Sequence, residues 1–158
     1  SGGELLNICK QNNYDYVQIP NEAPCPRAFL GYSFIQILFL LKNYGLINNS
    51  FEAELEKAVK ALDEKKDLIH LEAKRLADIF HGELPIIYSD TRLLATVTRF
   101  QQQINENAKQ LCHINHMPEM NHNELVGWQL GEDAYKNTAV LLVKTAYDNP
   151  RTRLRMDI

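Results

Sequence analysis

The sequence has no paired cysteine framework, no excess of basic residues and no hydrophobic run long enough for a membrane. Its three cysteines, Cys9, Cys25 and Cys112, stand far apart without a C-x-x-C pair. That excludes a disulfide scaffold or a zinc knuckle and fits reduced thiols in the cytoplasm. A formal charge of -3 gives no broad pull toward nucleic acid or anionic lipid. The longest apolar run, FIQILFLL at Phe34 to Leu41, falls well short of the roughly 20 residues that span a bilayer. The opening SGGELLNICK lacks the basic region and apolar core of a secretion signal. Neither nucleic acid nor membrane is therefore expected as a partner.

What is present suits a packed α/β protein. The chain is 158 residues long with 45% apolar and 23% charged residues, enough for one real core. Leu5 to Cys9 forms the apolar face of a helix entered through glycines, and YVQI at Tyr16 to Ile19 reads as a short strand closed by Pro20. A helix then a strand suggests a start in the middle of an α/β unit. After Asn21, Pro24 and Pro26, the stretch Arg27 to Tyr44 reads as a helix apolar almost all round and ended by Gly45, so it is expected to be buried between layers or against another subunit. Ser50 is the expected cap of the next helix, with Glu52 and Glu54 in its first turn. A helical stripe runs from Leu55 to Phe80 and stops at Gly82, its Lys and Glu residues facing solvent.

Leu84 to Tyr88 then reads as a buried strand, Thr91 to Lys109 as a helix and Leu111 to Ile114 as a second strand. Asn121 to Trp128 reads as a short helix and Ala139 to Val143 as a third strand. Apolar strands alternating with helices predict a parallel sheet covered on both faces, with active residues at the carboxyl ends of strands.

The stretch QQQINENAKQLCHINHMPEMNHNELVG, Gln101 to Gly127, crowds carboxylates, carboxamides and three imidazoles together. Glu106 near a helix end and His122 near the next helix start suit paired proton transfer: a carboxylate takes a proton from carbon while an imidazole handles one on oxygen. The short strand between them is expected to bring both to one edge of the sheet. The competing account makes Glu106 a solvent residue and His122 helix padding, with Asn121 and Glu124 forming a capping box. A metal site built from Cys112, His113, His116, Glu119 and His122 is the chemical rival, although their order matches neither H-E-x-x-H nor a closed finger. No metal is assigned. A Cys112/His113 nucleophilic pair is weaker still. Arg27, after a proline at a helix start, could stabilise oxygen charge or be a surface arginine making a local pair. Ser1 to Gly3 could be the remnant of a phosphate-binding glycine loop. Trp128, Phe29, Tyr32, Phe34 and Phe39 read as packing residues. Arg151, Arg153 and Arg155 form a small basic tail that contacts phosphate or closes the chain.

Three motifs together, PCPRAFLGYSF at Pro24 to Phe34, QINENAK at Gln103 to Lys109 and PEMNHNELVGW at Pro118 to Trp128, closely resemble the bacterial and archaeal bifunctional phosphoglucose/phosphomannose isomerase family. SGGELL at Ser1 to Leu6 resembles the end of that family's first sugar-isomerase domain. The resemblance implies a three-layer αβα sandwich with a parallel sheet, preceded by the end of a first such domain. It divides the chain into residues 1–23, the end of the first domain; 24–82, a long helical connector with packing helices, whose Leu46 to Gly82 part is longer and more charged than usual; and 83–158, the core of the second domain without its C-terminal part. It implies reversible isomerisation of glucose or mannose 6-phosphate to fructose 6-phosphate through an enediol, without a cofactor, in glycolysis and gluconeogenesis. Glu106 would be the base between C1 and C2, Arg27 would stabilise the enediolate, and His122 would assist ring opening from the neighbouring subunit of a homodimer. Ser1, Gly2, Gly3, Asn105 and Asn121 would contact substrate. The remaining phosphate loops are expected before Ser1, and a final strand, a helix and a lysine after Ile158. A non-catalytic sugar-phosphate sensor and a structural dimerisation piece are the alternatives.

Overall fold

The computed structural model describes residues 3–20, 25–131, 133 and 135–157, which divide into two compact units, Ser1–Lys66 and Asp67–Ile158. The first unit contains α1 (Gly3–Gln11), a short 3-10 turn (Pro26–Phe29), α2 (Leu30–Asn43) and α3 (Ser50–Glu64). Helix α2 ends as its glycine predicts. Gly45 takes φ +70, its N–H bonds the Lys42 carbonyl, and the Leu46 N–H bonds that of Leu41, which satisfies carbonyls the helix itself leaves open. Phe39 and Phe51 meet edge to face at 5.3 Å, and Lys42 pairs with Glu52 across α2 and α3.

Two sequence expectations fail in this unit, and the burial expected of α2 is not supplied by the unit's described residues. Tyr16 to Ile19 is not a strand; β propensity alone makes no ladder, which needs a neighbouring chain segment to pair its N–H and C=O groups. Helix α2 has no buried residue among those described, and Leu30, Phe34 and Ile37 are more than half exposed. Its all-round apolarity fits a covered helix, but the described residues of its unit do not cover it. Ser50 is the first helical residue of α3 and not its cap. The cap position is Asn49, and the Asn48 side chain accepts from the Ser50 N–H at 3.0 Å.

The second unit is the α/β part. It consists of α4 (Lys66–Phe80), β1 (Leu84–Asp90), α5 (Leu94–Gln103), β2 (His113–Met117), α6 (Glu119–Asn123), α7 (Leu125–Leu130), β3 (Thr138–Val143) and α8 (Pro150–Asp157). The stripe read as continuous from Leu55 to Phe80 is thus two helices, broken at Lys65. Gly82, at φ +82, turns the chain from α4 toward β1.

The strands form a parallel sheet in the order β2-β1-β3, with Ile87 of β1 opposite Ile114 and Leu141. Central strand β1 is buried from Pro85 to Asp90, as its unbroken apolar run requires. Its side chains alternate between faces. Ile87 packs with Val97, Cys112, Leu94 and Ile104 on the α5 side, whereas Ile86 and Tyr88 pack with Met117, Met120, Met156 and Trp128 on the side of α6, α7 and α8. This is the expected α/β sandwich. Strand β2 begins at His113 and not at Leu111, because register with β1 and not apolarity sets the pairing; Leu111 is exposed. No helix among the described residues is long and apolar enough to cross a membrane.

Candidate functional site

Glu106 lies in a π-helical turn, Ile104–Ala108, that continues α5 and stops at Lys109 in the left-handed region, φ 57. π turns are rare and recur at functional sites because they push one side chain out of the regular helical register. Glu106 and Asn105 are both exposed. The Lys109 ammonium donates to the Glu106 carbonyl at 2.7 Å, bridging the end of the turn.

His122 and Asn121 lie in α6. His122 is exposed, and the buried Oδ1 of Asn121 has no hydrogen-bond partner among the described residues. The capping box is not formed. Asn121 is inside the helix, where its N–H bonds the Pro118 carbonyl at 3.1 Å, and the helix expected from Asn121 to Trp128 is split at Glu124. Both members of the expected proton-transfer pair lie on elements beside edge strand β2. Helix α5 with its π turn covers one face of the sheet and α6 the other, so Glu106 and His122 are carried on opposite faces, flanking edge strand β2.

Arg27 is exposed in the 3-10 turn Pro26–Phe29 of the first unit. Gly3, exposed with φ +74, opens α1. Ser1 and Gly2 lie outside the described residues. Among the described residues, no three His, Cys, Asp or Glu side chains converge as a metal would need. Cys112 is buried, and burial pushes its thiol pKa up, away from the thiolate a nucleophile requires.

The group that sequence reading missed is Glu124. Its Oε2 accepts from the Tyr88 hydroxyl at 2.6 Å, while Oε1 accepts from Asn115 Nδ2 and lies 3.1 Å from His113 Nε2. Trp128 Nε1 in turn donates to the Tyr88 hydroxyl at 3.0 Å. Tyr88, His113, Glu124 and Trp128 border a 270 Å³ cavity between the sheet and α7. Burial would raise the Glu124 carboxyl pKa, but the hydrogen bonds from Tyr88, Asn115 and His113 outweigh it and the pKa is lowered. Burial, then the bond to Glu124, raises the Tyr88 hydroxyl pKa, so it stays a donor. Local spacing carried no signal for this network, since Tyr88 and Glu124 are 36 residues apart. Glu124→Gln keeps the shape but replaces one accepting oxygen with an NH₂ that faces groups that donate. The expected cost is about 1–3 kcal/mol, read from the urea midpoint; an unchanged midpoint would remove Glu124 as the clamp of α6 and α7 on the sheet.

At the carboxyl end of β1, buried Asp90 accepts from the N–H groups of Arg92 at 3.0 Å and Asn149 at 3.2 Å. The Arg92 amide contributes most to holding its pKa below the ordinary 3.8; burial opposes this, and Asn149 and Thr152 add to the lowering. A carboxylate with a depressed folded pKa stabilises fully above its unfolded value, and that contribution disappears as pH falls through the folded one. Stability should therefore fall below 3.8, and Asp90→Asn, less stable at neutral pH, should show a shallower acid loss. Parallel acid curves for the two proteins would refute this role.

Comparison with known proteins agrees with this architecture. A family model described as the bacterial phospho-glucose isomerase C-terminal SIS domain matches residues 69–158. The chain is 32% identical, over its whole length, to the bifunctional phosphoglucose/phosphomannose isomerases of Caldicellulosiruptor bescii and Aquifex aeolicus, covering 48% and 47% of those proteins. It is 27% identical to the D-glucosamine-6-phosphate 4-epimerase of Sulfolobus acidocaldarius, over 79% of this chain and 39% of that protein. The chain thus spans about half the length of the curated isomerases it matches. No solved structure gives a significant match. With its parallel sheet in the matched region and that region covering more than half its length, the chain belongs to the bacterial phospho-glucose isomerase C-terminal SIS domain family.

Proposed function

We propose that this chain is the second half of a two-domain sugar-phosphate isomerase that interconverts glucose or mannose 6-phosphate with fructose 6-phosphate. Glu106 is the base that moves a proton between C1 and C2 in this reading, Arg27 stabilises the enediolate, and His122 assists ring opening. Ser1, Gly2, Gly3, Asn105 and Asn121 contact the substrate. Residues 1–23 close a first domain, 24–82 connect, and 83–158 form the second domain's core.

The observation that carries this reading is the presentation of Glu106. An exposed carboxylate on a π turn, pinned through its carbonyl by Lys109, sits in the NENAK motif of a chain whose full length aligns with isomerases. A base on a fixed backbone approaches a substrate carbon in one orientation, which is what efficient proton transfer needs. The carbonyl beside the transferred proton acidifies the C–H bond, so the chemistry calls for no metal or redox cofactor.

The placement of Glu106 and His122 on opposite faces of the sheet supports a site completed by a second copy, with His122 donated across a homodimer interface. Three free thiols, Cys9, Cys25 and Cys112, support a cytoplasmic setting, and the substrates support a place in carbohydrate metabolism. The test is solvent-deuterium incorporation at C2 of glucose 6-phosphate by the full-length protein with a chelator present. Chelator-resistant exchange is expected. An intact, sugar-phosphate-binding protein that exchanges no C2 hydrogen would make the domain a sensor.

A further inference from the structure

A second cavity of 350 Å³ opens beyond the carboxyl ends of β1 and β2, against α8, and Arg92, Arg151 and Arg155 all line it. The isomerase reading uses none of them. Arg151 and Arg155 are four apart on α8, so their side chains share one face of the helix. Like charges at that spacing repel, and a bound anion between them relieves the repulsion. Neither guanidinium has a hydrogen bond or ion pair to another described residue. Arg153, on the same helix but outside the cavity, has the Asp157 carboxylate nearby; the hydrogen bond from Lys144 does most to lower that group's pKa, and the Arg153 charge adds to it.

The acidic group in the lining, Asp90, turns its oxygens to the N–H groups of Arg92 and Asn149. Its charge is held by the protein and leaves a surplus of positive charge facing the cavity. Arg92 uses part of its guanidinium to donate to the Tyr147 carbonyl, which fixes the group in place while other N–H donors remain. Planar forks of this kind bind tetrahedral oxyanions through paired, charge-assisted hydrogen bonds.

We propose that this cavity is an anion site that takes a phosphate dianion, either orthophosphate or the phosphate of a monoester, between Arg92, Arg151 and Arg155. It is distinct from the Glu106 turn and does not rest on the isomerase reading. Calorimetric titration of the 158-residue chain tests it, with orthophosphate in one arm and glucose 6-phosphate in the other. Saturable binding is expected in at least one arm, and the arm that binds tighter separates free anion from ester. The double variant Arg151→Gln, Arg155→Gln should weaken it by at least about tenfold. Arg153→Gln, the loss of one charge on the same helix but outside the cavity, should leave it within about twofold. Both substituted side chains are exposed, so folding should persist, and circular dichroism checks this. The proposal fails if neither ligand saturates, if the double variant binds as the unmodified chain does, or if Arg153→Gln weakens binding equally.

Discussion

Glu106→Gln in the full-length protein is expected to lower turnover of glucose 6-phosphate by about 10²–10⁴-fold, with little change in sugar-phosphate affinity. Glutamine keeps the shape and the hydrogen-bonding oxygen of glutamate but cannot take a proton. An interaction used only while the proton moves appears in kcat, whereas one used equally for binding appears in KM. Because Glu106 is exposed on its turn, the substitution opens no cavity and should leave the thermal midpoint near that of the unmodified protein. Solvent-deuterium incorporation at C2 should disappear in parallel with turnover. A variant that turns over at the unmodified rate would end the assignment of Glu106 as the base. Loss of activity accompanied by equal loss of sugar-phosphate binding would instead make it a substrate-holding group.

Ile87→Ala is expected to destabilise the chain by about 2–5 kcal/mol, toward the upper part of that range. Ile87 is fully buried in the central strand, which pairs in register with a strand on each side, and it is enclosed by Val97, Cys112, Ile114 and Leu141. Backbone tied on two sides cannot shift to close the space left behind, so most of the cavity persists. Urea unfolding measures the effect as a lower midpoint at unchanged slope. Val140→Ala on neighbouring β3, half exposed, is the control and should cost far less. Equal losses in the two variants would mean that the face between the sheet and α5 is not the core that holds the α/β unit together.

The parts of the fold that were legible in the sequence are those written in local spacing. The apolar run before Asp90 specified a buried strand, Gly45 and Gly82 specified where α2 and α4 stop, and alternation of strands with helices specified a parallel sheet. The motifs around Glu106 and His122 are what the proposed site rests on, because residue type and order are read without coordinates. Wherever the outcome depended on a partner distant in sequence, local reading failed. Tyr16 to Ile19 has strand composition but no ladder, β2 starts later than its apolarity suggests because β1 sets the register, and Glu124 leaves a local capping box to join Tyr88 and Asn115. The opposite-face placement of Glu106 and His122 and the gathering of Arg92, Arg151 and Arg155 on one cavity have the same origin. Spacing along the chain determines which element a residue occupies; which side chains then share a face or a hydrogen bond is decided only when the sheet closes and buried polar groups must find partners.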